Sequence, residues 1–376
     1  MKTIVLSKNY IIAGSLLFYA SLMLCAAVCQ EQTPAASGIN QPDSSDYLCV
    51  QRSPHSRLWQ KTTLATNQSG EVITNLNSYA ELSTGLCFLQ NGQYVDSVEQ
   101  INIVGTGAEA VQGPCKVQWA ADASTAGGAV QLTSPGGQQY STRVYGLALI
   151  DVATGSNVLI AAITNSTGLL MGNNQIVYPS AFAGLQADIQ DTYLLSGFEQ
   201  NVILREQLPS AADYGLNPAT TWLEVLTQFF SPPAPLITTV ETNGLSDDVQ
   251  LDFGDMGIGR GAAFLTPDPG SPARVNVSKR WEQTDDGSVF LIEEVPYIAL
   301  TNLLQSLPAH ASASKPSANV RRTASLRSLL HDGKALPKSS GAIKVAQAVH
   351  ERPGVTVDYS ILTGSLTNYV FQGDTT

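Results

Sequence analysis

Charge is what this chain has least of. Charged side chains make up 14% of its 376 residues, against roughly a quarter in an average globular protein. Basic residues are the scarcer kind, 20 against 31 acidic, for a net charge of −11. A surface with that balance repels phosphate, which argues against nucleic acid or an anionic membrane surface as a partner. Histidine occurs four times, at His55, His310, His331 and His350. A Ser-His-Asp or Cys-His site would rest almost wholly on His55, no Gly-x-Ser-x-Gly elbow is present, and no two histidines have metal-ligand spacing. Pro54-His55-Ser56-Arg57 reads instead as a turn ahead of the strand holding Trp59. Cysteine is also sparse: five residues whose spacing matches no zinc motif and no multi-bridge framework. Among Cys49, Cys87 and Cys115 there is room for one disulfide, and Cys87, inside Leu86-Cys87-Phe88-Leu89, reads as a small buried hydrophobe.

Only one long apolar run exists, Tyr10 to Val28, broken by Gly14, Ser15 and Ser21. Lys2 and Lys8 precede it and Ala26-Ala27 close it, which is the charged, apolar, small-residue order of a secretory signal peptide. Residues 1–29 are therefore expected to be a cleaved leader and the protein to be secreted or displayed at the cell surface, touching a membrane only through that leader. The run is long enough to span a bilayer, since roughly 20 residues suffice, but the cleavage site and the polar residues 30–46 behind it favour removal. Leu24 and Val28, not small residues, precede Cys25 and Cys29, which argues against a lipid anchor.

Neutral polar residues replace the missing charge. Thr, Ser, Asn, Gln and Gly suit strands and turns better than exposed helices, and short strand patterns recur through residues 47–230. Asn91-Gly92 between two apolar runs is the strongest turn signal, predicting a hairpin over Gly85–Ser97. Two more hairpins are expected at Ser134-Pro135-Gly136-Gly137 and at Thr154-Gly155-Ser156. Thr221–Phe230 reads as a strand rather than a helix because Thr, Val and aromatics dominate it. The expected fold is mainly β, an antiparallel β-sandwich or stacked-sheet domain followed by a smaller β-rich unit of α+β type. Ser231-Pro232-Pro233-Ala234-Pro235 marks the boundary within a linker at 231–240. The smaller unit spans 241–307 and ends in a helix predicted from Leu300, Leu303, Leu304 and Leu307, before Pro308.

Residues 308–353 carry eight basic side chains (Lys315, Arg321, Arg322, Arg327, Lys334, Lys338, Lys344 and Arg352) against Asp332 and Glu351, in an Ala- and Ser-rich setting expected for a solvated linker, with a further helix over Val320–Leu330. Strand character returns in 354–376 without a closing element. Since an open edge is avoided in folded proteins, the chain is expected to be the front part of a longer polypeptide whose downstream domains are its partners.

Tyr178-Pro179-Ser180-Ala181-Phe182, Leu185 to Tyr193, and Gly197-Phe198-Glu199-Gln200-Asn201-Val202-Ile203-Leu204 resemble the strand-rich module found upstream of the repeats in exported bacterial Rhs/YD-repeat and wall-associated proteins. Trp59, Glu81 to Leu86 and Asn91-Gly92-Gln93-Tyr94 resemble the front of that module. The resemblance covers about residues 47–235 and implies a non-enzymatic structural role. No YD-type repeat occurs here.

Candidate chemistry is thin. Asp247, Asp248, Asp252 and Asp255 are the calcium candidates, though their spacing lacks the terminal Glu of a calcium loop. Asp285-Asp286-Gly287 is a turn signal between Trp281 and Phe290. Glu199, Glu293 and Glu294 are the carboxylates considered for glycoside cleavage. Gly257-Ile258-Gly259-Arg260-Gly261 lacks the Lys-Ser/Thr of a phosphate loop. No catalytic residue and no organic cofactor are assigned. The alternative to a structural module is a secreted carbohydrate-binding or carbohydrate-active β-protein, on the strength of Trp59, Trp119, Trp222 and Trp281, with cell-wall or surface glycans as ligands.

Overall fold

The computed structural model describes residues 4–7, 47–240, 248–266, 274–310, 341–346 and 352–363. It is mainly β, with 58% strand and 5% helix. The chain divides into two compact units, one ending at Asp96 and one beginning at Ser97.

The first unit contains β1 (Ile4–Ser7), β2 (Leu48–Ser53), β3 (Ser56–Thr66), β4 (Val72–Leu82), β5 (Cys87–Gln90) and β6 (Gln93–Asp96). Four of these form an antiparallel sheet in the order β1-β4-β3-β2, and β5 and β6 form the expected hairpin. Asn91 and Gly92 hold φ of 51° and 80°, the positive values that a type I′ turn demands and that Asn and Gly tolerate best. His55 lies in the β2–β3 turn, as its neighbours suggest. What reads as two strands, Gly70–Leu76 and Ser78–Leu82, is the single strand β4.

The second unit runs from β7 (Asn102–Val104), β8 (Gly107–Ala110), β9 (Lys116–Trp119) and β10 (Val130–Thr133) into the long β11 (Gln139–Asp151), followed by β12 (Ser156–Ala162). β13 (Leu169–Met171), β14 (Gln175–Tyr178), β15 (Ala187–Leu194), β16 (Gly197–Leu204) and β17 (Thr221–Phe230) follow. Behind them come β18 (Leu236–Val240), β19 (Asp248–Asp252), β20 (Met256–Ile258), β21 (Gly261–Thr266), β22 (Arg274–Gln283) and β23 (Val289–Pro296). The helix α1 (Tyr297–Leu304), β24 (Lys344–Val345) and β25 (Gly354–Thr363) complete it. The hairpins β10–β11, β11–β12 and β22–β23 form at the three turns named above, and the last closes through Asp286, whose carboxylate accepts the Ser288 N–H at 3.1 Å.

Two sheets share β22. Its second half, Ser278–Gln283, pairs with β23, which pairs with β17, which pairs with β11. Its first half, Arg274–Val277, pairs with Gly261–Phe264 of β21, and from there the ladder passes through β25, β16, β15, β14 and β13. The result is one large, nearly closed sheet around a continuous core that includes Leu147, Leu149, Leu223, Val225, Leu291, Val295, Val355 and Val357. Leu300, Leu303, Leu304 and Leu307 join that core, so the helix predicted from their spacing docks by that face.

The expected boundary at Ser231–Pro235 falls inside this second unit, and β17 before it pairs with β23 behind it. Proline lacks a donor, so a proline cluster ends a strand as well as it ends a domain. Parts of the basic stretch are docked rather than solvated: Lys344–Val345 pair in parallel with Leu169–Leu170, and Ile343 is buried. β25 carries partners on both edges, β16 on one and β20 with β21 on the other, so it is no open edge. The helix expected over Val320–Leu330 and residues 8–29 lie outside the described residues. Among those described, no helix is long and apolar enough to cross a membrane.

Candidate functional site

The densest set of titratable side chains gathers on β17, β22 and β23. Antiparallel pairing places Glu224 directly opposite Glu294, and Glu294 opposite Ser278. Residues two apart on a strand share a face, so Arg280 and Glu282 stand beside Ser278 on the face of Glu294. Arg280 donates from Nη2 to Glu224 Oε1 at 2.7 Å, from Nε to Glu294 Oε1 at 2.9 Å and from Nη1 to Glu282 Oε2 at 2.6 Å. One guanidinium thus binds three carboxylates with its planar fork. Ala148, Leu226, Phe290 and Ile292 form a small apolar cluster on the same sheet. Glu224 is 1% exposed, and burial, with the charge of Glu294 adding to it, pushes its carboxyl up to about 7 despite Arg280. A carboxyl half-protonated near neutrality beside a second carboxylate is an arrangement that acid-base sites use. Here the two carboxyl groups also hydrogen-bond one another, and the Arg280 guanidinium binds both.

Glu293 is on the opposite face, because neighbouring strand residues alternate. It is 2% exposed and stands across from Lys279. Lys279, itself buried, is held by Asp248: Nζ donates at 2.8 and 2.9 Å to the two carboxylate oxygens, and the Lys279 N–H donates to Oδ1 at 3.0 Å. This local cation already satisfies the calcium candidate Asp248. Asp252 accepts the N–H of Gly254 at 2.7 Å in its own turn, and Asp255 accepts the N–H of Gly136. Asp247 lies outside the described residues. Among the described residues no three His, Cys, Asp or Glu side chains group as a metal site would require.

The remaining catalytic candidates are scattered. Glu199 sits on β16, opposite Thr192 and Ser360. His55 belongs to the first unit, where its Nδ1 accepts the Gly85 N–H at 3.3 Å, and burial holds its pKa below the ordinary value. Cys49, Cys87 and Cys115 are all unbridged, and burial pushes the thiols of Cys87 and Cys115 up to about 11 and 12, far from a reactive thiolate.

One further group escapes the sequence altogether. Asp191, fully buried on β15, accepts the Trp119 indole N–H at 3.1 Å and the Gln200 amide at 3.0 Å, and burial raises its carboxyl to about 7. Trp119 is 72 residues away, so only the opposition of Asp191 and Gln200 across a hairpin gives a sequence-level hint. A second cross-link uses Asp188, which accepts from Arg205 Nε at 2.7 Å and Arg352 Nη2 at 3.2 Å. Comparison with protein-family models, curated proteins and solved structures finds no match.

Proposed function

We propose that this chain is a non-enzymatic structural module of a large secreted or cell-surface bacterial protein, of the kind placed upstream of Rhs/YD-type repeats, exported through residues 1–29. One observation carries the reading: the buried and half-buried charges fasten strands to one another. Arg280 ties β22 to β17 and β23, Lys279 ties β22 to β19, and Arg205, with the exposed Arg352, closes on the buried Asp188. Catalysis needs a base or nucleophile facing an accessible substrate position with a matched partner. His55, Glu199 and Glu293 each have other surroundings, and Glu224 and Glu294, though in direct hydrogen-bonding contact, are both bound by Arg280. The same use of charge supports a module without a cofactor, whose partners are downstream domains of its own polypeptide.

The second reading, a carbohydrate-binding protein, draws on the first unit. Trp59 is partly exposed, stacks on Tyr79 with centroids 6.2 Å apart and planes 15° apart, and donates its indole N–H to Glu81 at 3.0 Å. Flat aromatic faces beside carboxylates suit sugar rings. Trp119 is buried, and Trp281 packs edge-on against Phe229 and Phe253, which leaves Trp59 and Trp222 as contact residues.

A glycan array and a panel of glycosidase substrates, run on the secreted chain, separate the readings. The structural reading expects neither binding nor turnover. Glycan binding lost in Trp59→Ala at unchanged melting temperature would replace it with the second, and turnover abolished by Glu224→Gln would replace both.

A further inference from the structure

Among the described residues, β4 has a long edge that is only partly covered. β3 pairs along all of it, from Thr66 opposite Val72 to Ser56 opposite Leu82, with no bulge. On its other edge Ile4–Ser7 pair antiparallel with Tyr79–Leu82, and among the described residues Val72–Ser78 have no strand partner there. Native edges are ordinarily blunted by Lys, Pro, bulges or a covering element. The sequence Val-Ile-Thr-Asn-Leu-Asn-Ser-Tyr-Ala-Glu-Leu contains neither Lys nor Pro, and its one charge, Glu81, is held by Arg57 at 3.1 Å and by Trp59. Leu64, Val72 and Leu76 share a face of the β3–β4 ribbon and are 72%, 68% and 59% exposed. Main-chain bonding capacity and apolar side chains are therefore presented together.

The strand seated on this edge, Ile-Val-Leu-Ser, belongs to the segment read as a cleaved leader. Its removal bares Tyr79–Leu82, and among the described residues the open edge then runs over all of β4. We infer that the β4 edge is a strand-docking site for an extended, uncharged aliphatic β-strand of a partner protein, entering antiparallel to β4, and that Ile4–Ser7 caps the edge until the leader leaves. The inference rests on the export reading. The capping strand itself supplies the partner's chemistry: aliphatic residues without charge, bonding through the backbone and selected by alternate side chains.

The test uses the product secreted from the full coding chain, its N-terminus read by mass spectrometry, titrated with a fluorescent peptide of residues Lys2–Lys8. Saturable binding is expected. Adjacent residues of an antiparallel strand point their N–H groups to opposite sides. N-methylation at one of Val5 and Leu6 should therefore weaken binding roughly tenfold, about the worth of one hydrogen bond, and at the other should change little. A chain that begins after residue 29, keeps its β circular dichroism and binds no peptide would overturn the inference. Equal binding of both methylated peptides would overturn it too, by reducing the contact to non-specific adhesion. A dimer in light scattering that the peptide does not dissociate would assign the edge to a second copy of the chain instead. If the product retains Met1, the export reading fails by itself, and the edge is then read from amide exchange. Tyr79–Leu82 should exchange more slowly than Val72–Ser78, and equal rates would refute capping.

Discussion

The β3–β4 and β11–β17 pairs are both long antiparallel ladders, yet they have opposite fates. β4 exposes its first six residues, whereas β17 exposes none and β11 only Gln139. Strand propensity is high in both pairs. Composition and company separate them. β17 carries Leu223, Val225, Leu226 and Phe229 on its two faces, with β11 on one side and β23 on the other. In the outer part of β3–β4, Thr and Asn alternate with single aliphatics, as in Thr62 opposite Leu76 and Leu64 opposite Thr74, and among the described residues neither outer edge has a neighbouring strand. A ladder becomes core only when both faces are apolar enough to attract further layers.

The sharpest way to break this contrast is to uncouple a buried charge in the second unit. Lys279→Met leaves the Asp248 carboxylate buried without its cation and is expected to destabilise the protein by about 3–5 kcal/mol, measured by denaturant unfolding. Removing both charges in Lys279→Met with Asp248→Leu should recover part of that loss, although the Lys279 N–H then lacks its acceptor. Cavity formation comes next. Leu223→Ala should cost about 2–5 kcal/mol, while Leu64→Ala, on the open ribbon, should stay within about 0.5 kcal/mol. Equal effects of these two leucines would abolish the distinction.

A pH titration sharpens the comparison further. The carboxyls of Asp191 and Glu224 are both raised to about 7 from ordinary values of 3.8 and 4.5. The folded state therefore holds protons that the unfolded state releases, and their contribution is complete below about pH 4 and lost as pH rises to about 7. Each contributes on the order of a few kcal/mol. Asp191→Asn and Glu224→Gln should flatten the stability profile between those limits, as followed by thermal melts. An unchanged slope would mean that neither group is protonated when folded. The smallest effect belongs to the first unit: Gly92→Ala, at φ 80°, should cost about 1 kcal/mol in the β5–β6 hairpin.

Local signals account for what the sequence reveals. Asn91-Gly92, the β-rich run Thr221–Phe230 and the leucine spacing of α1 each act within a few residues, and each forms the element expected. The carboxylate cluster was half legible. Glu294 is a candidate on sequence, but its adjacent Glu293 turns to the other face, and its partner Glu224 lies on a strand brought alongside only by the sheet. Arg280 gives no signal, since nothing local links it to Glu224. The same holds for Trp119 and Asp191. Proline clustering at Ser231–Pro235 is ambiguous for another reason: the chemistry that stops a strand is identical whether the chain then leaves a domain or re-enters its sheet.

β25 has a consequence for how such a chain is made. Val357 lies between Val202 of β16 and Ala263 of β21, bonded into the sheet on both sides. Ribosomes deliver residues in order, so β16 and β21 emerge long before the strand that joins them. Contacts of such sequence separation form slowly. Closure of the second unit is therefore a late event, completed only after Val357 has been synthesised. Until then the polypeptide stays open and threadable, with β16 and β21 each lacking the neighbour that β25 supplies.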